Sequence, residues 1–179
     1  AKKLVYGDVD LDMVAGPSEI AVLADETAVP AHVAADLISQ LEHGTGHEKA
    51  LLVTPYMAMA TKVLAEMERQ VASLSRREAI GRAAAAGALF VVTDTLDTGM
   101  DIVNRFAPEH FEIMTKEPRR WLQKVKNAGA VFVGAWTPES AGDFAAGPSH
   151  VLPTGGTAAY FSGLTVDSFR KRTSVVAFT

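Results

Sequence analysis

The chain has 179 residues, of which 48% are hydrophobic and 21% charged, and its formal net charge is -4. This length and composition allow a substantial core, and they indicate neither disorder nor a general electrostatic attraction to nucleic acid. Cysteine is absent and no stretch approaches the roughly 20 apolar residues of a membrane span, so we expect a soluble, cytoplasmic protein without disulfides, thiolate metal ligands or a membrane partner.

Short β-rich apolar runs alternate with helical patterns from Glu19 onward, which is typical of a parallel α/β sheet. The pattern therefore predicts an open, mostly parallel sheet with helical crossovers, similar to an incomplete Rossmann fold. The predicted strands are Ile20 to Ala24, Leu51 to Val53, Leu89 to Val92, Phe111 to Met114 and Val131 to Val133.

Helix signals lie between these strands. The first helix should begin near Thr27 to Pro30 and stop before Gly44. Pro55 suits the first turn of the second helix, and the segment from Ser75 to Glu78 has the pattern of a capping box. Two further helices are predicted over Leu96 to Arg105 and over Pro118 to Asn127.

The sequence pattern changes after Gly134. The segment from Trp136 to Gly163 is rich in glycine and proline and has no clear periodicity, so it is predicted to be a long active-site loop. Val166 to Arg172 can then start a short helix.

Polar residues in four places are candidates for chemistry. In open α/β sheets the ligand crevice lies beyond the carboxyl ends of the strands, and the four places meet this condition only in part. The first is Ser18, which offers a hydroxyl in a small-residue turn before a strand. Its alternative is a capping serine in an ordinary turn.

The second place is the end of the first predicted helix. Gln40 and His43 are three residues apart, so they share a helix face and could converge on one ion. A histidine in the last helical turn can instead cap carbonyl groups or interact with the helix dipole.

The third place is Glu109 and His110, just before a strand. Neighbouring residues on an extended segment point to different sides, so the pair could serve two separate proton transfers. A solvated pair without catalytic function is the alternative.

The fourth place is the glycine-rich loop, where Asp143 could approach a metal or substrate and His150 could bond a nearby carboxylate or carbonyl. An aspartate in such a loop can also be only a turn former. No glycine-rich nucleotide fingerprint is present, so cofactor-binding residues stay unassigned.

Taken together, the order and context of these places resemble the histidinol dehydrogenase family along nearly the whole chain. The matching segments are DMVAGPSE (12–19), AADLISQLEHG (34–44), FAPEHF (106–111), GAVFVGAWTPESAGDF (129–144), HVLPT (150–154) and GLTVDSFRKRT (163–173).

The resemblance implies roles for the candidate residues. Gln40, His43 and Asp143 correspond to zinc ligands that also hold the substrate. His110, another substrate contact, corresponds to the base that takes the alcohol proton, and Glu109 to the group that activates water. Ser18 and His150 correspond to further substrate contacts.

The family oxidises L-histidinol to L-histidine through the aldehyde, with zinc and two hydride transfers to NAD, as a homodimer. The resemblance further implies a catalytic segment over residues 1–163 and the start of a truncated C-terminal arm over 164–179. Because the family's NAD-binding segment and complete arm have no counterpart here, we expect the isolated chain to be inactive. A paralogue acting on another polyol or amino alcohol, or a non-catalytic scaffold, are the alternatives.

Overall fold

A computed structural model describes residues 2–179, and its centre is one sheet of five parallel strands in the order β3-β2-β1-β4-β5. This confirms the predicted open α/β sheet, and the order matches the first five strands of the six-stranded Rossmann order. The strands are β1 (Glu19–Ala24), β2 (Lys49–Thr54), β3 (Ala88–Val92), β4 (His110–Met114) and β5 (Ala130–Val133). The helices are α1 (Pro30–Leu41), α2 (Met57–Val71), α3 (Arg77–Gly87), α4 (Leu96–Phe106), α5 (Pro118–Leu122) and α6 (Glu139–Phe144).

Hydrophobic cores lie on both faces of the sheet. On one face α1, α2 and α3 pack over alternate residues of the central strands, such as Ile20 and Leu52. On the other face α4 and α5 pack over the intervening residues, such as Leu23 and Phe111. Burial on both faces explains why the central strands are continuous apolar runs.

Strand β4 departs from this apolar pattern. All five of its residues are buried, and Phe111 and Ile113 enter the core beneath α4 and α5. The alternate positions, His110 and Glu112, point to the face that carries α1. Two titratable side chains on one buried face cost desolvation energy, so this face of β4 is a candidate functional site.

Helix α5 is shorter than predicted, because it ends at Leu122 and not near Asn127. The buried side chain of Asn104 accounts for the early end. Its Oδ1 accepts the Lys126 N–H at 2.7 Å, and its Nδ2 donates to the Lys124 carbonyl at 3.0 Å. These bonds satisfy backbone groups that a continuing helix would have used.

Two predicted helix starts are wrong in detail. Helix α2 begins at Met57, so Pro55 precedes the helix and does not stand in its first turn. Helix α3 begins at Arg77 with Arg76 as the N-cap residue, and no side chain caps it. Ser75 therefore lies one position too early for the capping box that the sequence predicted.

The predicted loop from Trp136 to Gly163 is not structureless, because its first part forms α6. Gly142 allows this helix to pack closely, since a Cβ atom there would lie 2.5 Å from the Phe132 ring. A short 3-10 helix follows at Thr157–Ala159, and another at Val166–Phe169 begins with a Thr165 and Ser168 capping box. None of the helices in residues 2–179 is both long enough and apolar enough to cross a membrane.

A buried carboxylate stabilises the turn between α1 and β2. Glu48 accepts the backbone N–H groups of Thr45 at 2.6 Å and Gly46 at 2.9 Å. Burial opposes the charge on Glu48, but the hydrogen bonds from Thr45 and Gly46 outweigh it and lower the pKa to about 2. The turn that follows His43 is thus anchored by an ionised group.

We expect Glu48→Gln to lower the free energy of unfolding by about 1.5–3 kcal/mol near neutral pH, the range for hydrogen bonds to a charged group. Because the folded pKa lies below the ordinary 4.5, the stabilisation is present above that value and is lost as the pH falls towards about 2. Chemical denaturation at several pH values should show the difference between the two proteins shrinking in acid. A difference independent of pH would contradict this role.

Candidate active site and metal centre

The candidate residues meet at the amino ends of β1 and β4, and not at the carboxyl edge that usually binds ligands in such sheets. Helix α1 runs back along the sheet, so Gln40 near its end returns to the edge where β1 begins. Helix α6 returns in the same way, with Glu139 beside Glu112 and then Asp143 beside His110.

The carboxyl edge is bridged by a single side chain. One oxygen of Asp25, directly after β1, accepts the Thr27 N–H and hydroxyl at 2.8 and 2.6 Å. The other oxygen accepts the Lys116 N–H at 2.8 Å, just beyond β4. These bonds join the loop after β1 to the loop after β4, at the edge where a nucleotide usually enters a Rossmann-type sheet.

His110 is the centre of the cluster at the amino edge and is 2% exposed. Its Nδ1 lies 3.2 Å from the Glu19 carbonyl oxygen, which can only accept, so Nδ1 carries the proton. Its Nε2 faces two carboxylates, with Asp143 Oδ1 at 3.6 Å and Glu139 Oε1 at 3.7 Å. Burial lowers the pKa of His110, and the Asp143 charge partly opposes that change.

Glu109 lies beside His110 and is also buried. One of its oxygens accepts the Glu19 N–H at 3.0 Å and lies 3.7 Å from His110 Nδ1. The two side chains are therefore closer than strict strand alternation predicted, because Glu109 stands one residue before β4 begins. Burial and the nearby carboxylates, of which Asp143 acts most strongly, raise the pKa of Glu109 to about 8.

Glu139 is the member of the cluster that sequence reasoning missed. It stands four residues before Asp143, so the two side chains share one face of α6, and this spacing was the available signal. Its Oε2 accepts the Ser39 hydroxyl at 2.9 Å. Burial raises the pKa of Glu139 to about 7; the Ser39 bond opposes this shift, and Asp143 adds to it.

Gln40 and His43 complete the cluster from the α1 side. The side chain of Gln40 is fully buried, and neither of its amide atoms has a hydrogen-bond partner among residues 2–179. His43 lies two residues beyond α1, and its Nδ1 is 3.0 Å from the Gln40 carbonyl oxygen. His43, Glu139 and Asp143 line one cavity of about 250 Å³.

A divalent cation fits this arrangement. Within the described part of the chain, His110 Nε2 and the Gln40 amide are buried polar atoms without partners. His110, Glu139 and Asp143 also bring three possible ligand atoms within 4.8 Å of one another. Unpaired buried polar groups are costly, and a set of nitrogen and oxygen donors suits zinc.

Behind the cluster, Glu112 and Asp36 form a buried acid pair. Burial raises the pKa of Glu112 well above its usual range, and the charge of Asp36 raises it further. Burial likewise raises the pKa of Asp36 to about 6. Burial and the Asp36 charge therefore both favour the protonated form of Glu112, whose Oε1 accepts the Glu139 N–H at 3.0 Å.

The two remaining candidates lie at the margin of the cluster. Ser18 is partly exposed directly before β1, and its carbonyl accepts the Lys49 N–H at 3.1 Å. His150 is exposed in the loop after α6. The same loop returns to the site, because the Gly155 N–H donates to Glu19 Oε2 at 3.0 Å.

Comparison with known proteins agrees with the family resemblance of the sequence motifs. The family model described as histidinol dehydrogenase matches residues 1–179. The chain is 52% identical over 179 residues to a histidinol dehydrogenase of Heliobacterium mobile and 52% identical over 177 residues to one of Moorella thermoacetica. These matches cover 100% and 99% of this chain but 42% of each relative, so the chain spans about two fifths of their length.

A solved structure is similar in fold as well. The crystal structure of histidinol dehydrogenase from Elizabethkingia anophelis aligns with a TM-score of 0.85 and 39% sequence identity. The alignment covers 88% of this chain and 36% of that protein.

Proposed function

The chain belongs to the histidinol dehydrogenase family, and from this premise we propose that the protein oxidises L-histidinol to L-histidine through the aldehyde, using zinc and NAD. The observation that carries the proposal is the meeting of Glu109, His110 and Asp143 at one buried edge of the sheet. Besides a hydride acceptor such as NAD, two successive oxidations of an alcohol use a base for the alcohol, a second base for water and a cation that polarises the substrate oxygen.

Gln40, His43 and Asp143 are the proposed zinc ligands. The carbonyl oxygen of Gln40 takes the proton-bearing Nδ1 of His43, which leaves the Nε2 of His43 free for the metal. Metal-bound histidines usually have their second nitrogen held in this way. Bound zinc would supply Lewis-acid polarisation of the substrate oxygen.

His110 is the proposed base for the alcohol proton. The Glu19 carbonyl holds Nδ1, so Nε2 is the nitrogen available to accept a proton. Because burial lowers the pKa of His110, the ring is neutral and ready to accept near neutral pH. The same ring can hand the proton back when the direction of transfer reverses.

Glu109 is the proposed base for the water that attacks the aldehyde. A pKa of about 8 lies near neutrality, where a carboxyl group can both take and return a proton. Its position beside Nδ1, on the other side of the His110 ring from Asp143, separates the two proton transfers in space.

Ser18 and His150 are proposed substrate contacts at the margin of the site, and a homodimer is the proposed assembly. NAD is the proposed hydride acceptor, but no residue of this chain is assigned to it.

The function is tested by following NADH formation when the full-length protein receives L-histidinol and NAD. Two NADH for each histidinol consumed are expected, because the alcohol and the aldehyde are each oxidised once. A polyol without an imidazole group serves as the comparison substrate. Oxidation of that polyol but not of histidinol would instead identify a paralogue.

In the full-length protein, Glu109→Gln is expected to slow oxidation of the aldehyde on the order of 10²-fold or more, and oxidation of the alcohol much less. The amide keeps the shape of the side chain but cannot take a proton from water. Each half-reaction is measured separately, and zinc content is measured in parallel and should not change. Equal losses in both half-reactions would count against this role.

A further inference from the structure

We propose that Glu139 is a positioning residue that sets the spacing between the zinc-binding side chains of α1 and α6 and holds the His110 ring. The proposal rests on the zinc site proposed above and assigns Glu139 no proton transfer. Glu139 is 3% exposed and stands at the first position of α6.

Three contacts connect Glu139 to the neighbouring elements. Its backbone N–H donates to Glu112 Oε1 at 3.0 Å, which attaches the start of α6 to β4. Its Oε2 accepts the Ser39 hydroxyl at 2.9 Å, which attaches it to α1 directly before Gln40. Its Oε1 lies 3.7 Å from His110 Nε2.

The length of α6 makes these contacts necessary. A helix of six residues is far below the length that is stable by itself, so its place depends on tertiary contacts. Asp143 lies one turn after Glu139 on the same helix. The bonds of Glu139 to α1 and β4 therefore determine where Asp143 stands relative to Gln40 and His43.

The burial of Glu139 points in the same direction. A carboxyl group in the interior costs desolvation energy that an apolar side chain would avoid. The distance of 3.7 Å to His110 Nε2 is too long for a hydrogen bond, so Glu139 fills the space beside the ring without taking its acceptor nitrogen. That arrangement suits a residue that places the ring and leaves its lone pair available.

The test compares Glu139→Ala and Ser39→Ala with the wild-type full-length protein, because alanine removes both side-chain contacts of Glu139. Glu26→Ala is the matched control, because it removes the same side chain from an exposed position at the opposite edge of the sheet. The readouts are zinc affinity by calorimetric titration, the ¹⁵N chemical shifts of the His110 ring in the metal-free protein, and kcat and KM for histidinol.

Glu139→Ala is expected to lower zinc affinity about 10- to 100-fold, the usual loss when a residue that orients metal ligands is changed. The His110 ring shifts should move, and kcat should fall by more than KM changes. Ser39→Ala should lower zinc affinity by less, because it removes one side-chain contact of Glu139 and leaves the other. Glu26→Ala should match the wild type in every readout.

Wild-type zinc affinity and unchanged His110 shifts in Glu139→Ala would overturn the proposal. If that variant does not fold, Ser39→Ala decides, and wild-type behaviour there would also overturn it. A wild-type protein that binds no zinc would refute the spacing role, while the ring shifts would still test the contact with His110. A wild-type protein that binds zinc but does not oxidise histidinol would refute the proposed function alone.

Discussion

His110→Asn is expected to lower kcat for histidinol oxidation on the order of 10²- to 10⁴-fold, the usual contribution of a positioned general base. Asparagine can keep the hydrogen bond to the Glu19 carbonyl that Nδ1 makes at 3.2 Å. It has no nitrogen that accepts a proton near neutral pH, so only the chemistry at Nε2 is lost. Binding of zinc and of the substrate should change much less than kcat.

The measurement is steady-state NADH formation, together with zinc titration of the same preparation. His47→Asn is the control, because His47 is exposed in the turn after α1 and should be dispensable. A large loss of zinc affinity in His110→Asn would indicate that His110 is itself a zinc ligand. That result would favour a metal held by His110, Glu139 and Asp143, whose ligand atoms lie within 4.8 Å of one another.

Asp143→Asn is expected to lower zinc affinity by more than the roughly 10- to 100-fold typical of residues that only support a ligand. The amide keeps the size of the side chain but removes the proposed anionic ligand of the set. Gln40→Ala and His43→Ala should also weaken zinc binding. Calorimetric titration measures all three.

His32→Ala and His47→Ala are the controls for this series. His32 packs against the ring of Trp136 at 5.5 Å between centroids, and His47 is exposed, so neither belongs to the cluster. Their zinc affinities should equal that of the wild type. If the controls and the three proposed ligands lost affinity alike, the ligand assignment would be wrong.

The sheet could be predicted from the sequence because each strand has a strong local signal. The runs around Val22 and Leu52 are apolar, are buried on both faces, and are separated by helical patterns. The early end of α5 could not be predicted in this way. It depends on Asn104, a buried side chain about twenty residues away, whose bonds replace those of the helix.

Helix α6 also lay beyond local reasoning. In the sequence Gly142 is typical of a loop, but in the structure it allows α6 to pack against the ring of Phe132. The edge of the sheet that carries the candidate site could not be predicted locally either. The four candidate places meet the carboxyl-edge rule only in part, and in the structure the polar residues gather at the amino edge.

Some residues of the candidate site could be predicted from the sequence and others could not. His110 and Asp143 are candidates from their sequence context, and the family resemblance supplies their roles; the structure places them 3.6 Å apart at closest approach. The four-residue spacing of Glu139 and Asp143 indicates a shared helix face only once α6 is known to be a helix. The two Glu19 backbone groups that hold Glu109 and His110 are invisible to any analysis of side-chain types.

If Gln40, His43 and Asp143 hold one metal ion beside Glu109 and His110, crystals of the full-length protein grown with zinc will show it. Diffraction data collected at the zinc absorption edge are expected to give an anomalous peak about 2.0–2.2 Å from Gln40 Oε1, His43 Nε2 and an Asp143 carboxylate oxygen. A peak bound by other side chains, or no peak at this edge of the sheet, would contradict it.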